Sequence, residues 1–355
     1  MKFGILDRYI GKNVFLTILL VTVFLTLLTA LITFVDQMRY IGRGSVDFMF
    51  LLSHVALEIP GIVVLFFPVA VLLGGVIALG NLARTSELIV MQSIGISRTG
   101  IVFSALKTVI PLIIVIVCLG EFVVPRVEQY AENRLNLASS NGNLSVTHDG
   151  LWLREGNSFI GIRYTMSDGS LLDIVRYEVE GKELKVFSKA KSGVYTNGQW
   201  EMRGVKRTEF LGDRVVNTVL PVEKWKLNLT PDRVEIVGVK GYNLTASGLI
   251  DYINYLEENN QDAASYKLEL YNKFMAPFTM IVMLLLAAST VFGPLRSMTM
   301  GARVLAGITL GFGFYLTNQI GAPFSLVYGI PPLIGASFPT LVFLFIAIML
   351  LRRKA

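Results

Sequence analysis

The sequence predicts an α+β integral membrane protein: six transmembrane helices, grouped three and three, with an antiparallel β domain inserted between the triplets. Six apolar stretches occupy residues 13–35, 59–80, 101–124, 274–293, 302–322 and 333–351. Each reaches or approaches the ~20 residues that a helix rising ~1.5 Å per residue needs to cross a ~30 Å hydrocarbon layer. Between the third and fourth stretches lies a polar block patterned in short alternating runs. The 355 residues are 53% hydrophobic and 16% charged, and the apolar ones cluster instead of recurring periodically, which excludes a soluble single core.

The first stretch is too long for a cleavable signal and lacks a small-residue cleavage site, so it is expected to remain as a helix. Orientation follows from Lys and Arg. With the N-terminus inside, the inner segments carry Lys2, Arg8, Lys12, Arg84, Arg98, Arg296, Arg303, Arg352, Arg353 and Lys354, against Arg39 and Arg43 in the short outer loops. This positive-inside bias sends both termini to the cytoplasm and residues 126–270 outside. The expected domains are therefore 1–125, 126–270 and 271–355. Most of the net charge of +6 is this topological bias, and no basic stripe or base-stacking platform points to nucleic acid. The single cysteine, Cys118, lies in the third stretch as a small apolar filler and leaves the β domain without a disulfide.

From Gly150 onward the runs Leu151-Trp152-Leu153, Phe159–Ile162, Leu172–Tyr177 and Leu184–Phe187 read as strands, separated by Asp149-Gly150, Asp168-Gly169 and Glu180-Gly181. Tyr195-Thr196-Asn197-Gly198-Gln199-Trp200 is the strongest hairpin signal, because Asn-Gly supplies the two positive φ angles of a two-residue turn. Strands at such short spacing imply an antiparallel sandwich or roll. Helical periodicity returns over 246–258, with Leu249, Ile250, Ile253 and Leu256 on one face. Residues 259–262 interrupt it before the fourth span.

No catalytic or metal constellation is evident: His54 and His148 are far apart and belong to no His/Cys/Asp cluster. Three Asn-x-Ser/Thr triplets, at Asn143, Asn228 and Asn243, match a glycan pattern short enough to arise by chance. The chain has no G-x-x-x-x-G-K-[ST] loop to cradle nucleotide phosphates, so any ATP that drives transport must be hydrolysed by another subunit. Glu58, Glu121 and Lys107 near the span ends are of the type that snorkels or pairs within a bundle. Proton coupling through them defines a rival reading, a secondary transporter. A membrane-anchored assembly factor is a third.

The loop after the second span, Arg84-Thr85-Ser86-Glu87-Leu88-Ile89-Val90-Met91-Gln92-Ser93-Ile94-Gly95, predicts a short surface helix. It opens on a Ser/Thr-led, acid-bearing start, places Leu88, Met91 and Ile94 on one face, and stops at Gly95. It is either an ordinary interfacial helix or one seated in a groove of an ATPase, where Glu87 would meet an Arg of the partner and Arg84, Leu88, Met91 and Ile94 would complete the coupling contact.

That loop, with Leu6-Asp7-Arg8-Tyr9-Ile10, Phe292-Gly293-Pro294-Leu295-Arg296 and Leu326-Val327-Tyr328-Gly329-Ile330-Pro331-Pro332, closely resembles the LptF/LptG permeases of the lipopolysaccharide exporter, and LptG the more nearly. The resemblance spans the whole chain and favours the ATPase-docking reading. It implies a non-catalytic subunit of an ATP-binding-cassette exporter in the Gram-negative inner membrane. An LptF-like permease would stand beside it and an LptC-like bitopic protein against it. An LptB-like ATPase dimer would lie beneath, carrying the ATP and Mg, while this chain holds no cofactor. The inserted domain would be a periplasmic β-jellyroll. Lipopolysaccharide would leave the periplasmic leaflet through a cavity between the permeases and pass to the jellyroll bridge toward the outer membrane.

A phosphorylated lipid needs cations near the outer rim, and Arg39, Arg43, Arg126 and Arg134 lie at that depth, though each taken singly reads more simply as an Arg facing solvent or lipid headgroups. Span one offers Thr29 and Thr33 near its outer end, so no cation is expected inside the cavity there. Span five carries Gly307-x-x-x-Gly311, a small-residue face that suits close helix packing. The resemblance implies a moving gate at this span, whereas static packing inside one subunit is the plainer expectation.

Overall fold

The computed structural model describes residues 4–139, 145–165, 170–180, 183–196, 198–211, 214–225, 244–259, 261–292 and 299–352. In chain order the elements begin with α1 (Ile5–Gln37), α2 (Phe48–Arg84), the short α3 (Glu87–Ser93) and α4 (Arg98–Cys118). A π-turn over Leu119–Val123 then carries α4 into α5 (Val124–Ser139). Six strands follow: β1 (Ser145–Glu155), β2 (Ser158–Thr165), β3 (Leu171–Glu180), β4 (Glu183–Thr196), β5 (Gln199–Phe210) and β6 (Val215–Trp225). The chain closes with α6 (Ala246–Glu258), α7 (Ala264–Phe292), α8 (Met300–Val327) and α9 (Pro332–Arg352). Among the described residues six helices are long and apolar enough to cross a membrane: α1, α2, α4 with α5, α7, α8 and α9.

Local chemistry sets the helix starts. The hydroxyls of Ser97, Thr245 and Thr299, each in extended backbone, accept from the amides of Gly100, Gly248 and Ala302 at 3.0, 3.0 and 3.4 Å and so satisfy otherwise orphaned donors. Prolines 60, 68, 111, 277, 323 and 339 sit inside the long helices, as transmembrane helices tolerate when neighbours satisfy the freed carbonyls.

The chain divides into two compact units, one of Met1–Asp36, Val55–Val127 and Ala264–Ala355, the other of Gln37–His54 and Glu128–Ala263. In the first, Val14 and Ile18 of α1, Leu72 and Val76 of α2, Ala105 and Val109 of α4, and Met283 and Leu284 of α7 form one buried cluster. Glycine makes the closest approach possible: a Cβ on Gly74 would stand 2.7 Å from the Cα of Ile18, so only a bare backbone lets α2 meet α1 there. A hydroxyl pair, Thr279 and Thr340 at 2.8 Å, ties α7 to α9.

In the second unit the six strands form one antiparallel sheet in sequential order. One face is buried by Ile160, Ile162, Leu171, Ile174, Ala190, Met202, Val205 and the fully enclosed Trp200 and Trp225, which are cross-strand partners. The predicted strand runs fall in β1 to β4, and the two-residue hairpin joins β4 to β5. There Thr196 pairs with Gln199 and Gly198 adopts φ +80, while Asn197 lies outside the described residues, as do Asp168-Gly169 and Gly181. Asp149-Gly150 departs from expectation: it lies within β1, where a register shift between Val146 and Leu151 absorbs it as an irregularity and not a turn. In α6, Leu249, Ile253 and Leu256 are buried as predicted, but Ile250 is exposed and Tyr252 and Tyr255 take its place. The stripe at i, i+3, i+4 and i+7 from Leu249 passes through residues 252, 253 and 256 and leaves its sequence neighbour off the face.

Candidate functional site

The segment after α2 turns sharply because Ser86 adopts φ +62, and that geometry alters the expected start of α3. Ser86 makes no side-chain cap; instead the Thr85 hydroxyl donates to Glu87 Oε1 at 2.8 Å. Leu88 and Met91, expected to meet an ATPase, are instead buried in the helical core and pin α3 against it, because a short helix lying on the bundle must turn its larger apolar side chains inward. Ile94 does not join them. The helix ends at Ser93, Ile94 becomes its C-cap, and Gly95 at φ +96 turns the chain away, leaving Ile94 exposed with Ile89 and Val90. Arg84 is exposed in the last turn of α2. The outward side of this segment is therefore a small apolar surface beside a basic and an acidic side chain.

Glu87 is also approached from α1, whose Tyr9 stands near its carboxylate. Two residues earlier, Asp7 accepts from Lys107 Nζ of α4 at 2.6 Å and from the Ser104 hydroxyl. The first turns of α1 thus approach α3 through Tyr9 and hold α4 through Asp7. Sequence reasoning placed Lys107 among groups that snorkel or pair but could not name a partner a hundred positions away. Two arginines counted only as topological signals also do structural work: Arg98 donates to the carbonyl of Phe292 at 3.4 Å, and the buried Arg303 to that of Gly80 at 3.4 Å.

On the other side, the short loop after α1 carries a 3₁₀ turn at Met38–Tyr40. The guanidinium carbons of Arg39 and Arg43 lie 5.3 and 5.4 Å from the centre of the single Tyr40 ring. This pre-positions two like charges that would otherwise repel. Ser45 fastens the loop to α5 by donating its amide to the carbonyl of Ala138 at 2.9 Å. Arg134 of α5 stands 4.5 Å from the centre of the Phe50 ring, which in turn stacks on the buried His54. Arg126 is exposed on α5 and falls in the helical unit. Of the four predicted arginines the structure brings Arg39 and Arg43 together on one ring and places Arg134 on another.

Within the helical unit Glu121, in the π-turn, pairs with Lys273 at 3.2 Å. Gly307 and Gly311 face α2: Cβ atoms there would lie 3.3 Å from Val76 Cγ2 and 3.2 Å from Leu72 Cδ2. Both glycines lie where α8 packs on α2 of the same chain. The exposed side of α8 instead carries a hydrogen-bonded pair, Gln319 Nε2 to the Tyr315 hydroxyl at 3.0 Å. Among the described residues no group of three or more His, Cys, Asp or Glu side chains is placed to hold a metal ion.

The family model described as lipopolysaccharide export system permease LptF/LptG matches residues 8–353. The chain belongs to the LptF/LptG permease family. This permease is 40% identical to the lipopolysaccharide export system permease protein LptG of Escherichia coli strain K12, over 99% of both chains. It is 38% identical to the LptG of Haemophilus influenzae, over 98% of both. Six apolar helices with an inserted antiparallel sheet make it a multi-pass inner-membrane permease.

Proposed function

We propose that this permease is the transmembrane subunit of an ATP-driven exporter that takes lipopolysaccharide from the periplasmic leaflet of the inner membrane toward the outer membrane. The observation that carries the reading is likeness to LptG proteins over practically the whole chain, membrane triplets and inserted domain together. Both termini lie in the cytoplasm and the β domain in the periplasm, as the distribution of Lys and Arg supports. The domain serves as the jellyroll bridge that receives the lipid.

Energy comes from a separate LptB-like ATPase dimer that binds ATP and Mg. Its docking surface is α3, supported by the exposed Ile89, Val90 and Ile94 flanked by Arg84 and Glu87. An LptF-like permease and an LptC-like bitopic helix complete the assembly, and the weakly buried faces of α1 and α8 suit helical partners. Arg39, Arg43, Arg126 and Arg134 provide cations for lipid phosphates at the outer rim. Proton-driven transport is the weaker reading, since Glu121 and Asp7 are each committed to a lysine within the bundle.

The test is reconstitution of the copurified complex in vesicles loaded with lipopolysaccharide, supplied with ATP or with a pH gradient alone. Release is expected with ATP only. Glu87→Ala should lower release per ATP hydrolysed by about ten-fold, the value of one charge-assisted contact of ~1.4 kcal/mol. Transport by the purified chain alone, or a tag that places the β domain in the cytosol, would overturn the proposal.

A further inference from the structure

The first turns of α1 hold two exposed cations, Arg8 and Lys12, that have no hydrogen-bond or ionic partner among the described residues. They line an open cavity of about 270 Å³ between α1 and α4, together with Asp7, Gly11, Phe15 and Thr108. The only acid in that lining is already spoken for, because both Asp7 oxygens are engaged by Lys107 and Ser104 of α4. Arg8 and Lys12 therefore border the cavity as exposed cations that Asp7 does not neutralise.

Its floor is bare backbone. A Cβ on Gly11 would come within 2.3 Å of Thr108 Oγ1, so the hydroxyl of α4 reaches the axis of α1 only because residue 11 has no side chain. Among the described residues that hydroxyl makes no hydrogen bond, whereas Thr17, Thr22, Thr309 and Thr317 in comparable helices all donate to the carbonyl four residues back.

Polarity then changes in order along the helix. Phe15 lies ~4.5 Å beyond Lys12 and ~10 Å beyond Arg8 along the axis, on the same face, and Leu19 follows one turn later. Both are exposed. Two cations, a free hydroxyl donor, an aromatic ring and then an aliphatic stripe match, in order and scale, the phosphate, glycerol and acyl parts of a membrane lipid.

We propose that this cavity binds an anionic glycerophospholipid, with its phosphate on Arg8, Lys12 and the Thr108 hydroxyl and its acyl chain along Phe15 and Leu19. The lipid is distinct from the transported cargo. Only its assignment to the cytoplasmic leaflet rests on the topology proposed above. Bound there, it would lie across the seam of α1 and α4 beside the Asp7–Lys107 contact that joins them.

Native mass spectrometry of the full-length chain, purified with the subunits that accompany it, tests this by titration with phosphatidylglycerol or with phosphatidylcholine of the same acyl length. Preferential retention of phosphatidylglycerol is expected. The preference should fall roughly five-fold for each of Arg8→Gln and Lys12→Gln. It should fall also in Thr108→Val, which keeps the side-chain shape and removes the donor, and persist in Arg352→Gln at the end of α9. An unchanged preference in the double variant or in Thr108→Val overturns the site. An equal loss in Arg352→Gln overturns it as well, because general surface charge would then explain the binding. Displacement of the lipid by inorganic phosphate would make the ligand a soluble anion. Photo-crosslinking at position 15 to a protein segment instead of a lipid would likewise sink it. None of these readouts depends on transport, so the site and the export function can fail separately.

Discussion

α1 and α2 are almost equally apolar, with mean hydropathies of 2.7 and 2.9 over their most apolar windows, yet 22% of that window is buried in α1 and 56% in α2. The same contrast separates α8, at 22%, from α7, at 61%. Apolar surface is at home against lipid as well as against protein, so hydropathy marks a helix as spanning without saying what it touches. Small residues mark close approaches in both kinds of helix, Gly11 in α1 and Gly307 and Gly311 in α8 included; what differs is how much of each helix its neighbours cover. Gly74 and Gly75 of α2 face Ile18 and Ala287, while α1 and α8 keep Leu, Ile and Phe turned outward. The interior helices are covered mostly within this chain, and the peripheral two leave apolar faces open, to lipid or to another protein.

The largest test of that contrast is Gly74→Leu. Its side chain would have to displace the α1 backbone, and overpacking of this kind costs ~1–3 kcal/mol. A fall at the top of that range is expected in the thermal melting of the solubilised chain; an unchanged transition would mean that α1 and α2 do not meet there. Next comes Lys107→Gln, which leaves the partly buried Asp7 without its cation. A loss of about 1–2 kcal/mol in the same melt is expected, recovered in part when Asp7→Asn is added.

Phe312→Ala on the exposed side of α8 should change the melt of the isolated chain by less than ~0.5 kcal/mol, as surface substitutions do, yet lower the yield of a copurifying permease partner. A melt as damaged as that of Gly74→Leu would erase the distinction between interior and peripheral helices.

The smallest effect belongs to the sheet. Lys185 sits 2.7 Å from Glu183, holding that carboxyl below its ordinary pKa, while the lysine is raised above its own. The Glu183 contribution is present above the unfolded carboxylate pKa and disappears as the pH falls through the lowered folded one. The Lys185 contribution is present below the unfolded lysine pKa and is lost as the pH rises through the raised one. Both groups are exposed and screened, so Glu183→Gln should leave melting at neutral pH, and its shift on mild acidification, indistinguishable from the parent.

Much of the fold was legible because its signals are local. A run of apolar residues either spans or does not, an Asn-Gly pair between alternating strands turns the chain, and Gly95 ends α3 where it was expected to. Leu88 and Met91 were legible as one face of a short helix but not in their role: expected with Ile94 to meet an ATPase, they are buried in the helical core instead. The helix stops at Ser93 and leaves Ile94 exposed at its C-cap, while Ser86 takes a left-handed backbone instead of capping, and neither outcome shows in the local pattern. Arg39 and Arg43 stood out in the sequence as the two cations of the loop after α1, but their sharing of the Tyr40 ring could not be read from their positions. Gly307 and Gly311 announced a close approach without saying to what.

By itself the sequence determined how many times the chain crosses the membrane, where the β domain is inserted, and which short helix stands between the second and third spans. Period, length and turn chemistry act within a few residues of one another, so these features need no knowledge of neighbours. Tertiary structure alone decided that Asp7 belongs to Lys107 and that Tyr9 stands near Glu87, that Arg303 is buried, and which spans face inward. Those outcomes depend on contacts between residues far apart in the chain, and every apolar helix offers several faces that only its packing partners can choose between.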